Sequence, residues 1–368
     1  MYTHNGIISN RQLKILLILQ MFNMSILGLP RIVAQLVDAD GYWLPFIGFV
    51  FGAIYIWVVT ALIGGFKGKT FVDYSQIILS KPLGILLSFL FAIKLIISAG
   101  LEVRMFAEMI TRVLLPNTPL AVIVLTMLFT VHYLVKSGVE AIGRMAEVLI
   151  FFVFIPLIFV LIFISVKADY EQLLPFFQSN FEDVVHGGFI ISTAFMPLEF
   201  VLVLGAFVNQ PKKIRGECLK AIAVVSVIQI IVIMLTYTGI GVGEAKREVW
   251  PVLILMESIQ MPGSFIENQE VLMMAWWIMS VYMYICGGMY VASLIIAQLF
   301  NFERKNVTVL PLIPIVYFVA IMPASFVHTY HYFIDFQSKW GLIFLFFVPL
   351  ILWIIAKMRK VGDKNEAI

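Results

Sequence analysis

A carboxylate lies in the middle of one long apolar stretch of the chain. Glu199 follows Phe195, Met196 and Pro197 within the stretch 184–207. On insertion scales, a carboxylate at the centre of a membrane helix costs about 2.5–3.5 kcal/mol, and it is rarely kept without a partner or a task. Such a group can bind an ammonium, carry a proton or pair with a neighbouring cation. The sequence leaves these three roles open.

The first apolar stretch carries a second disruption. Residues 23–30 read Asn-Met-Ser-Ile-Leu-Gly-Leu-Pro. Proline removes a backbone donor and glycine lowers helix propensity, so both disruptions can free backbone groups. Half-helix ends then offer partial positive charge to a carboxylate and carbonyls to an ammonium. A small zwitterion such as an amino acid fits this pattern. The predicted binding residues are Asn23, Ser25, Ile26, Leu27, Gly28, Phe195, Met196, Pro197 and Glu199.

Either disruption alone is also what a simple proline kink produces. Their matching positions in two halves of the chain favour a binding site over two unrelated kinks. The third apolar stretch adds Glu102, Arg104 and Glu108. Arg104 and Glu108 are four residues apart and share a helix face, so an ion-pair network is one interpretation and a proton pathway is the other. Glu102 lies off that face and can point toward the centre of the bundle.

Other chemistries have little support in the sequence. The five histidines show no HExxH spacing, and Cys218 and Cys286 show no metal-ligand spacing. We therefore expect no metal, no cofactor and no enzymatic activity. A net charge of +3 in 368 residues gives no reason to expect a nucleic-acid partner.

The composition requires a lipid environment. Hydrophobic residues make up 61% of the chain and charged residues 13%, with a mean hydropathy of +1.00, whereas soluble domains carry about 25% charged residues. The apolar blocks match the roughly 20 residues that cross a bilayer. They predict a single all-α integral membrane domain over 1–368. About ten transmembrane helices are expected, near 12–37, 41–64, 83–115, 119–136, 144–166, 184–207, 218–242, 271–300, 307–324 and 340–358.

The distribution of basic residues predicts the orientation. With the N-terminus inside, most of the 25 lysines and arginines fall in cytoplasmic segments, as the positive-inside rule requires. Both termini are then cytoplasmic. In the longest external connection, 243–270, an apolar segment from Glu248 to Met261 is too short to span. It is either a lid over an external vestibule or a helix lying at the membrane interface.

The two disrupted helices are five helices apart. An odd number of helices per half makes the second half enter the membrane from the opposite face. The sequence therefore predicts a 5+5 inverted repeat with helices one and six broken. Its halves are expected near 12–166 and 184–358.

Several motifs, in order, resemble the B subunit of spore germinant receptors (the GerAB, GerBB and GerKB family), a branch of the amino acid, polyamine and organocation transporter superfamily. The motifs are Ile8-Ser9-Asn10-Arg11-Gln12, Leu29-Pro30-Arg31, Asp40-Gly41-Tyr42-Trp43-Leu44, Arg104-xxx-Glu108, Leu115-Pro116-Asn117-Thr118-Pro119, Gly143-Arg144-xx-Glu147, Leu174-Pro175, Glu199 with Asn209-Gln210-Pro211-Lys212-Lys213, Trp250-Pro251 and Pro262-Gly263-Ser264-Phe265-Ile266-Glu267.

This resemblance implies a LeuT-like fold. It also implies a three-part receptor in the spore inner membrane, with a larger A subunit and a C lipoprotein as partners and a small nutrient as the germinant. Binding would trigger germination rather than serve bulk uptake. Two alternatives stay open: a proton-coupled amino-acid permease in which Glu199 or Glu102 carries the proton, and a non-binding scaffold or ion-channel part.

The chain departs from its relatives inside the predicted pocket. It has Asn23-Met24-Ser25 where relatives often carry a Gly-x-Gly-like stretch, and Pro197 where a glycine is common. Asn23 and Ser25 keep hydrogen-bonding capacity at these positions.

Overall fold

A computed structural model describes residues 6–175, 178–258, 269–302 and 308–362, without the side chains of Met24, Ser25, Gln269, Glu270 and Leu272. Helices account for nearly all of these ranges. The first half of the chain contains α1 (Asn10–Ser25), α2 (Leu29–Val37), a 3-10 turn (Asp38–Trp43), α3 (Leu44–Gly64), α4 (Phe71–Ile78), α5 (Lys81–Val113), α6 (Leu120–Lys136) and α7 (Val139–Lys167).

The second half, like the first, contains both long helices and interrupted ones. Its α-helices are α8 (Phe181–Ser192), α9 (Val201–Leu204), α10 (Ile214–Ile240), α11 (Val242–Arg247), α12 (Pro251–Ser258), α13 (Gln269–Leu299), α14 (Val309–Ile321), α15 (Phe326–Phe336) and α16 (Val348–Met358). A 3-10 helix at Thr193–Phe200, here the 3-10 segment, joins α8 to α9, and a 3-10 turn at Gly205–Phe207 follows α9. Together these elements are the sixth segment. Two π-helical stretches, Gln337–Gly341 and Ile343–Phe347, join α15 to α16, and together these elements are the tenth segment.

Within the described residues, seven helical stretches are long and apolar enough to cross a membrane. They are Leu29–Gly64, Lys81–Val113, Val139–Lys167, Phe181–Phe207, Pro211–Ile240, Met273–Leu299 and Phe326–Met358. The shorter apolar helices α6 and α14 join them. The long apolar helices confirm the predicted all-α membrane fold.

The largest differences from the sequence prediction are one helix start and one additional helix. The tenth segment begins at Phe326 rather than at the predicted 340. The apolar pattern does not reveal this start, because His328, His331 and Asp335 make the first turns of the helix polar. The short helix α4 was not predicted. A capping box of Thr70 and Asp73 starts it, and this motif satisfies two amide donors without any long apolar run.

The long helix α5 lies at the centre of the bundle, against α13, α4 and α14. Helix α1 packs against α10, α7, α13 and the 3-10 segment, so the first break lies within the bundle. In contrast, α7 presents an apolar face to the outside, as expected of a lipid contact. Its exposed residues are Val148, Phe151, Phe152, Ile155, Ile158, Phe159, Ile162 and Val166.

Candidate functional site

The first membrane helix is interrupted where the sequence predicts. Helix α1 ends at Ser25 and α2 begins at Leu29, so Ile26, Leu27 and Gly28 lie between two half-helices. Pro30 occupies the first turn of α2, where its missing N–H costs no hydrogen bond. Ile26 and Leu27 are buried, and the predicted site residue Ser25 has a side chain outside the described part.

The second disruption takes the form of tighter winding. Phe195, Met196, Pro197 and Glu199 all lie in the 3-10 segment and are buried. Such winding is unusual over eight residues in the middle of a helix, where it often marks a hinge or a strained site. The residues predicted for the second half of the site are therefore brought to one short stretch facing the interior.

Glu199 pairs with a lysine from the third helix. Lys94 Nζ lies 2.5 Å from Glu199 Oε1, and the two side chains are 2% and 1% exposed. Of the three roles open to Glu199, the structure displays pairing with a cation. Lys94 was not among the predicted site residues. The available signal is the four-residue spacing of Lys94, Ser98 and Glu102, which places the three on one face of α5.

Glu102 connects the same face of α5 to the first break. Asn23 Nδ2 donates to Glu102 Oε1 at 2.6 Å, in a buried contact. The carboxyl predicted to point inward does so, and it binds an amide in α1. Two predicted site residues from separate helices are thus in direct contact.

Further polar side chains extend this arrangement, and none of them was predicted. Gln20 Nε2 donates to the carbonyl of Met283 at 3.2 Å. Gln337 Nε2 donates to the Tyr284 hydroxyl at 3.0 Å. We name the buried set the polar column, whose members are Gln20, Asn23, Lys94, Ser98, Glu102, Glu199, Tyr284 and Gln337.

The polar column has spare acceptors. The buried oxygens Gln20 Oε1, Asn23 Oδ1 and Glu199 Oε2 have no hydrogen-bond donor among the described residues. A buried polar atom without a partner costs about 1–3 kcal/mol. The column can therefore receive further donors such as the hydrogens of an ammonium. Meanwhile α2 directs its N-terminal end, at Leu29, toward the break, and such an end favours an anion.

Arg104 and Glu108 form a separate ion-pair network on α5. Arg104 Nη2 lies 2.8 Å from Glu108 Oε1, and Arg112 Nε lies 3.8 Å from Glu108 Oε2. Arg104 also donates to the carbonyl of Ala320 at 3.4 Å. Between the two interpretations of these residues, the geometry displays the ion pair, while Glu102 belongs to the polar column.

Residues 242–258 cover the end of the site at which α2 lies. A Cβ atom on Gly28 would be 3.9 Å from the carbonyl oxygen of Val249. Lys246 forms an ion pair with Asp38 at the end of α2, and the Tyr237 hydroxyl donates to the carbonyl of Pro30 at 3.1 Å.

The apolar residues of α12 point into the bundle. Val252, Leu253, Leu255 and Met256 are buried. A helix lying flat at the interface would instead leave a polar face to water and an apolar face to lipid. The described part of the predicted segment Glu248–Met261 has the placement of a lid, and residues 259–261 lie outside the described residues.

The opposite end of the bundle is closed by the chain start. Ile8 donates to the carbonyl of Phe207 at 2.8 Å and accepts from the amide of Asn209 at 3.1 Å. Lys14 Nζ lies 3.2 Å from Glu217 Oε2. The backbone bonds of Ile8 tie the residues before α1 to the end of the sixth segment, and Lys14 ties α1 to α10. In the described ranges, no three histidine, cysteine, aspartate or glutamate residues cluster to hold a metal ion.

Comparison with known sequences gives the family. The profile described as "Spore germination protein", for the spore permease family, matches residues 7–328. The chain belongs to the spore germination protein family. YndE of Bacillus subtilis is 27% identical over 99% of this chain and 100% of its own length. Spore germination protein B2 of the same organism is 22% identical over 91% of each chain.

GerLB of Bacillus cereus, another spore germination protein, is 24% identical over 92% of this chain and 91% of its own length. These relatives confirm the resemblance to germinant-receptor B subunits that the motifs indicated. Among solved structures, the crystal structure of MhsT in complex with L-phenylalanine matches with a TM-score of 0.62 and 13% identity, over 94% of this chain and 98% of MhsT. The match confirms the LeuT-like fold of this spore germination protein.

Proposed function

We propose that this protein is the nutrient-sensing subunit of a spore germinant receptor and binds a small zwitterion, such as an amino acid, between the first break and the 3-10 segment. The observation that carries the proposal is the set of unpaired buried acceptors, Gln20 Oε1, Asn23 Oδ1 and Glu199 Oε2, together with the helix N-terminus that α2 presents at the first break. These oxygens would accept from the ligand's ammonium, and the N–H groups of α2 would receive its carboxylate.

Binding would then act on both covers of the site. The ligand would contact α1, α2 and the 3-10 segment. Residues 242–258 hold α2, and Ile8 holds the far end of the sixth segment, to which the 3-10 segment belongs. A ligand shifts a conformational equilibrium only by its difference in affinity for the two states. The proposed germinant would favour the state in which these half-helices enclose it.

The proposal includes a receptor context. An A subunit and a C lipoprotein would be the partners in the spore inner membrane, and both termini would be cytoplasmic. The kinship with spore germination proteins and the wide lipid-facing side of α7 support this setting.

Two glycines allow a test of the proposed orientation. Gly216 lies near the start of α10, and Gly243 lies in α11, just beyond the other end of α10. A Cβ on either meets nothing within 4 Å. An impermeant thiol reagent applied to intact cells should label Gly243→Cys and leave Gly216→Cys unlabelled, whereas the reverse would refute the orientation.

Calorimetric titration of the purified chain with a panel of L-amino acids tests binding. Asn23→Leu removes one proposed acceptor and the contact with Glu102, so we expect at least tenfold weaker binding of the amino acid that binds the unaltered chain. Thr236→Val is the matched control, because Thr236 is buried but donates within its own helix, to Val232. Spores carrying Asn23→Leu should need a correspondingly higher germinant concentration. Equal binding by both variants would exclude Asn23 from the site.

A proton-coupled permease is the second candidate. The observation that favours it is the Glu102 carboxyl, which is buried and bonded to the neutral amide of Asn23. A carboxyl in such a setting can take up and release a proton. Proteoliposomes containing only this chain distinguish the two functions. Concentrative uptake driven by a proton gradient would establish a permease, and binding without uptake supports the sensor.

A further inference from the structure

A cavity lies at the basic end of the bundle, away from the polar column. It has a volume of about 380 Å³ and is enclosed by the end of α3, the turn Gly205–Phe207 and the start of α10. Four cationic side chains line it: Lys67, Lys69, Lys212 and Arg215. Among the residues that the structure describes, no acidic one belongs to this lining. An arrangement of this kind attracts an anion.

The acidic residues nearest in the sequence are engaged elsewhere. Asp73 Oδ2 accepts from the backbone amide and the hydroxyl of Thr70, each at 2.9 Å. Glu217 forms ion pairs with Lys220 at 2.7 Å and with Lys14 at 3.2 Å. Neither carboxylate is among the residues that line the cavity.

The other wall of the cavity is apolar and follows one face of α3. Trp57, Thr60, Ala61 and Gly64 all line it, and their spacing of three and four residues places them in one stripe about 10 Å long. This stripe begins beside the cationic groups and ends at Trp57, which is 41% exposed. It offers a surface on which a hydrocarbon chain can lie.

Aromatic residues place the cavity at headgroup depth. Trp57 packs edge-on against Trp353 with ring centroids 5.2 Å apart, and Lys357 Nζ lies 4.1 Å from the Trp353 ring centroid. Tryptophans beside lysines are typical of the boundary between hydrocarbon and water. The cavity therefore opens where lipid phosphates lie.

We propose that this cavity binds the headgroup of an anionic glycerophospholipid. Its phosphate would contact the side chains of Lys69 and Arg215, and an acyl chain would follow the stripe on α3. Basic pockets between transmembrane helices bind such headgroups. A free phosphate would use the cationic wall alone, so the adjoining apolar stripe favours a lipid. The site is separate from the proposed germinant site and does not depend on it.

Titration of the full-length chain in neutral detergent tests the proposal, using dihexanoyl phosphatidylglycerol, dihexanoyl phosphatidylcholine and inorganic phosphate as probes. We expect dihexanoyl phosphatidylglycerol to bind at least tenfold more tightly than dihexanoyl phosphatidylcholine or inorganic phosphate. The double change Lys69→Gln with Arg215→Gln should weaken its binding about 30-fold, at roughly 1 kcal/mol for each charge. Lys213→Gln with Lys360→Gln removes the same charge from exposed residues outside the lining and should change binding less than twofold.

A second pair of variants tests the cavity rather than its charge. A Cβ at Gly64 or at Gly216 meets no heavy atom within 4 Å, but only Gly64 lines the cavity. Gly64→Leu should fill the space and weaken phosphatidylglycerol binding at least tenfold, whereas Gly216→Leu should leave it unchanged. Equal losses in both charge variants, or equal binding of the two lipids, would refute the site. Phosphate binding as tight as that of the lipid would make it a site for a free anion.

Discussion

Lys94 and Glu199 are stable in the bundle interior only as a pair. Each is almost completely buried, and their charged atoms are 2.5 Å apart. Removing two ions from water costs several kcal/mol for each ion, and mutual attraction offsets this cost only when both are present. The pair therefore fixes α5 and the 3-10 segment relative to one another, next to the proposed ligand position.

Removing one partner should be more damaging than removing both. We expect Lys94→Met to lower the free energy of unfolding by about 3–5 kcal/mol, because Glu199 stays buried without its cation. The double variant Lys94→Met with Glu199→Leu should lose much less. Denaturant unfolding in mixed micelles measures both.

The control is an exposed ion pair on another helix. Arg144 pairs with Glu140 and is 54% exposed, so Arg144→Met should cost less than about 1 kcal/mol. The single variant Glu199→Leu completes the comparison. If the losses in unfolding free energy for Lys94→Met and Glu199→Leu simply add in the double variant, the two charges do not stabilise one another.

At this scale the sequence predicts charges but not their partners. Glu199, Glu102 and Asn23 stand out because polar groups are costly inside apolar stretches. Gln20 and Gln337 join the column only through contacts between distant helices. A single sequence has no periodicity that encodes such contacts, so these residues could not be predicted.

Among the elements, α4 and α5 show how closely two helices approach. A Cβ atom at Gly84 would lie 2.5 Å from the backbone nitrogen and Cα of Gln76. Ser88 Oγ donates to the Gly84 carbonyl at 2.8 Å, and the Ser75 and Ser88 hydroxyls are 3.1 Å apart. Small residues permit this approach, and hydrogen bonds between the helices strengthen it.

Gly84→Ala should therefore separate α4 from α5. We expect a loss of about 1–3 kcal/mol in unfolding free energy, as for other overpacked sites. Gly216→Ala is the control, because its Cβ meets no neighbour and alanine favours a helix by about 1 kcal/mol over glycine. Thermal unfolding should show opposite shifts for the two variants, and a stabilised Gly84→Ala would contradict the close approach.

Element boundaries were predictable where apolar blocks coincide with helices, as for α5 and α6. They were not predictable at α15, whose His328, His331 and Asp335 belong to a membrane helix only because it continues into α16. The two π-helical stretches between them were likewise not predicted. One of them places Gly341 against Met196 of the 3-10 segment, and π-helices frequently occur at functional sites.

For the whole molecule, the main feature is closure of the proposed ligand site from two ends. Residues 242–258 hold α2, and the chain start holds the sixth segment. The sequence predicted the order of helices and the position of the breaks, since the breaks interrupt the first and the sixth apolar block. The bridge from Ile8 to Val208 could not be predicted, because it joins residues 200 positions apart through backbone groups alone.

Ile8→Pro should loosen the closure at the chain start. The substitution removes the amide that donates to Phe207, and one hydrogen bond contributes about 0.5–1.5 kcal/mol. We expect amide hydrogen exchange of residues 205–210 to quicken up to about tenfold. Ile7→Pro, at an exposed neighbour, is the matched control. Unchanged exchange in Ile8→Pro would show that the bridge does not hold the sixth segment.

The pairing of Lys94 with Glu199 has an electrical consequence. The positive charge of Lys94 and the negative charge of Glu199 cancel within the pair, and a zwitterion that joins them adds no net charge. A membrane potential of 100 mV acts with about 2.3 kcal/mol on each unit charge moved across the bilayer. Occupancy of the proposed site by an amino acid would consequently be the same in an energised and a de-energised membrane, whereas a cationic amine would be sensitive to the voltage.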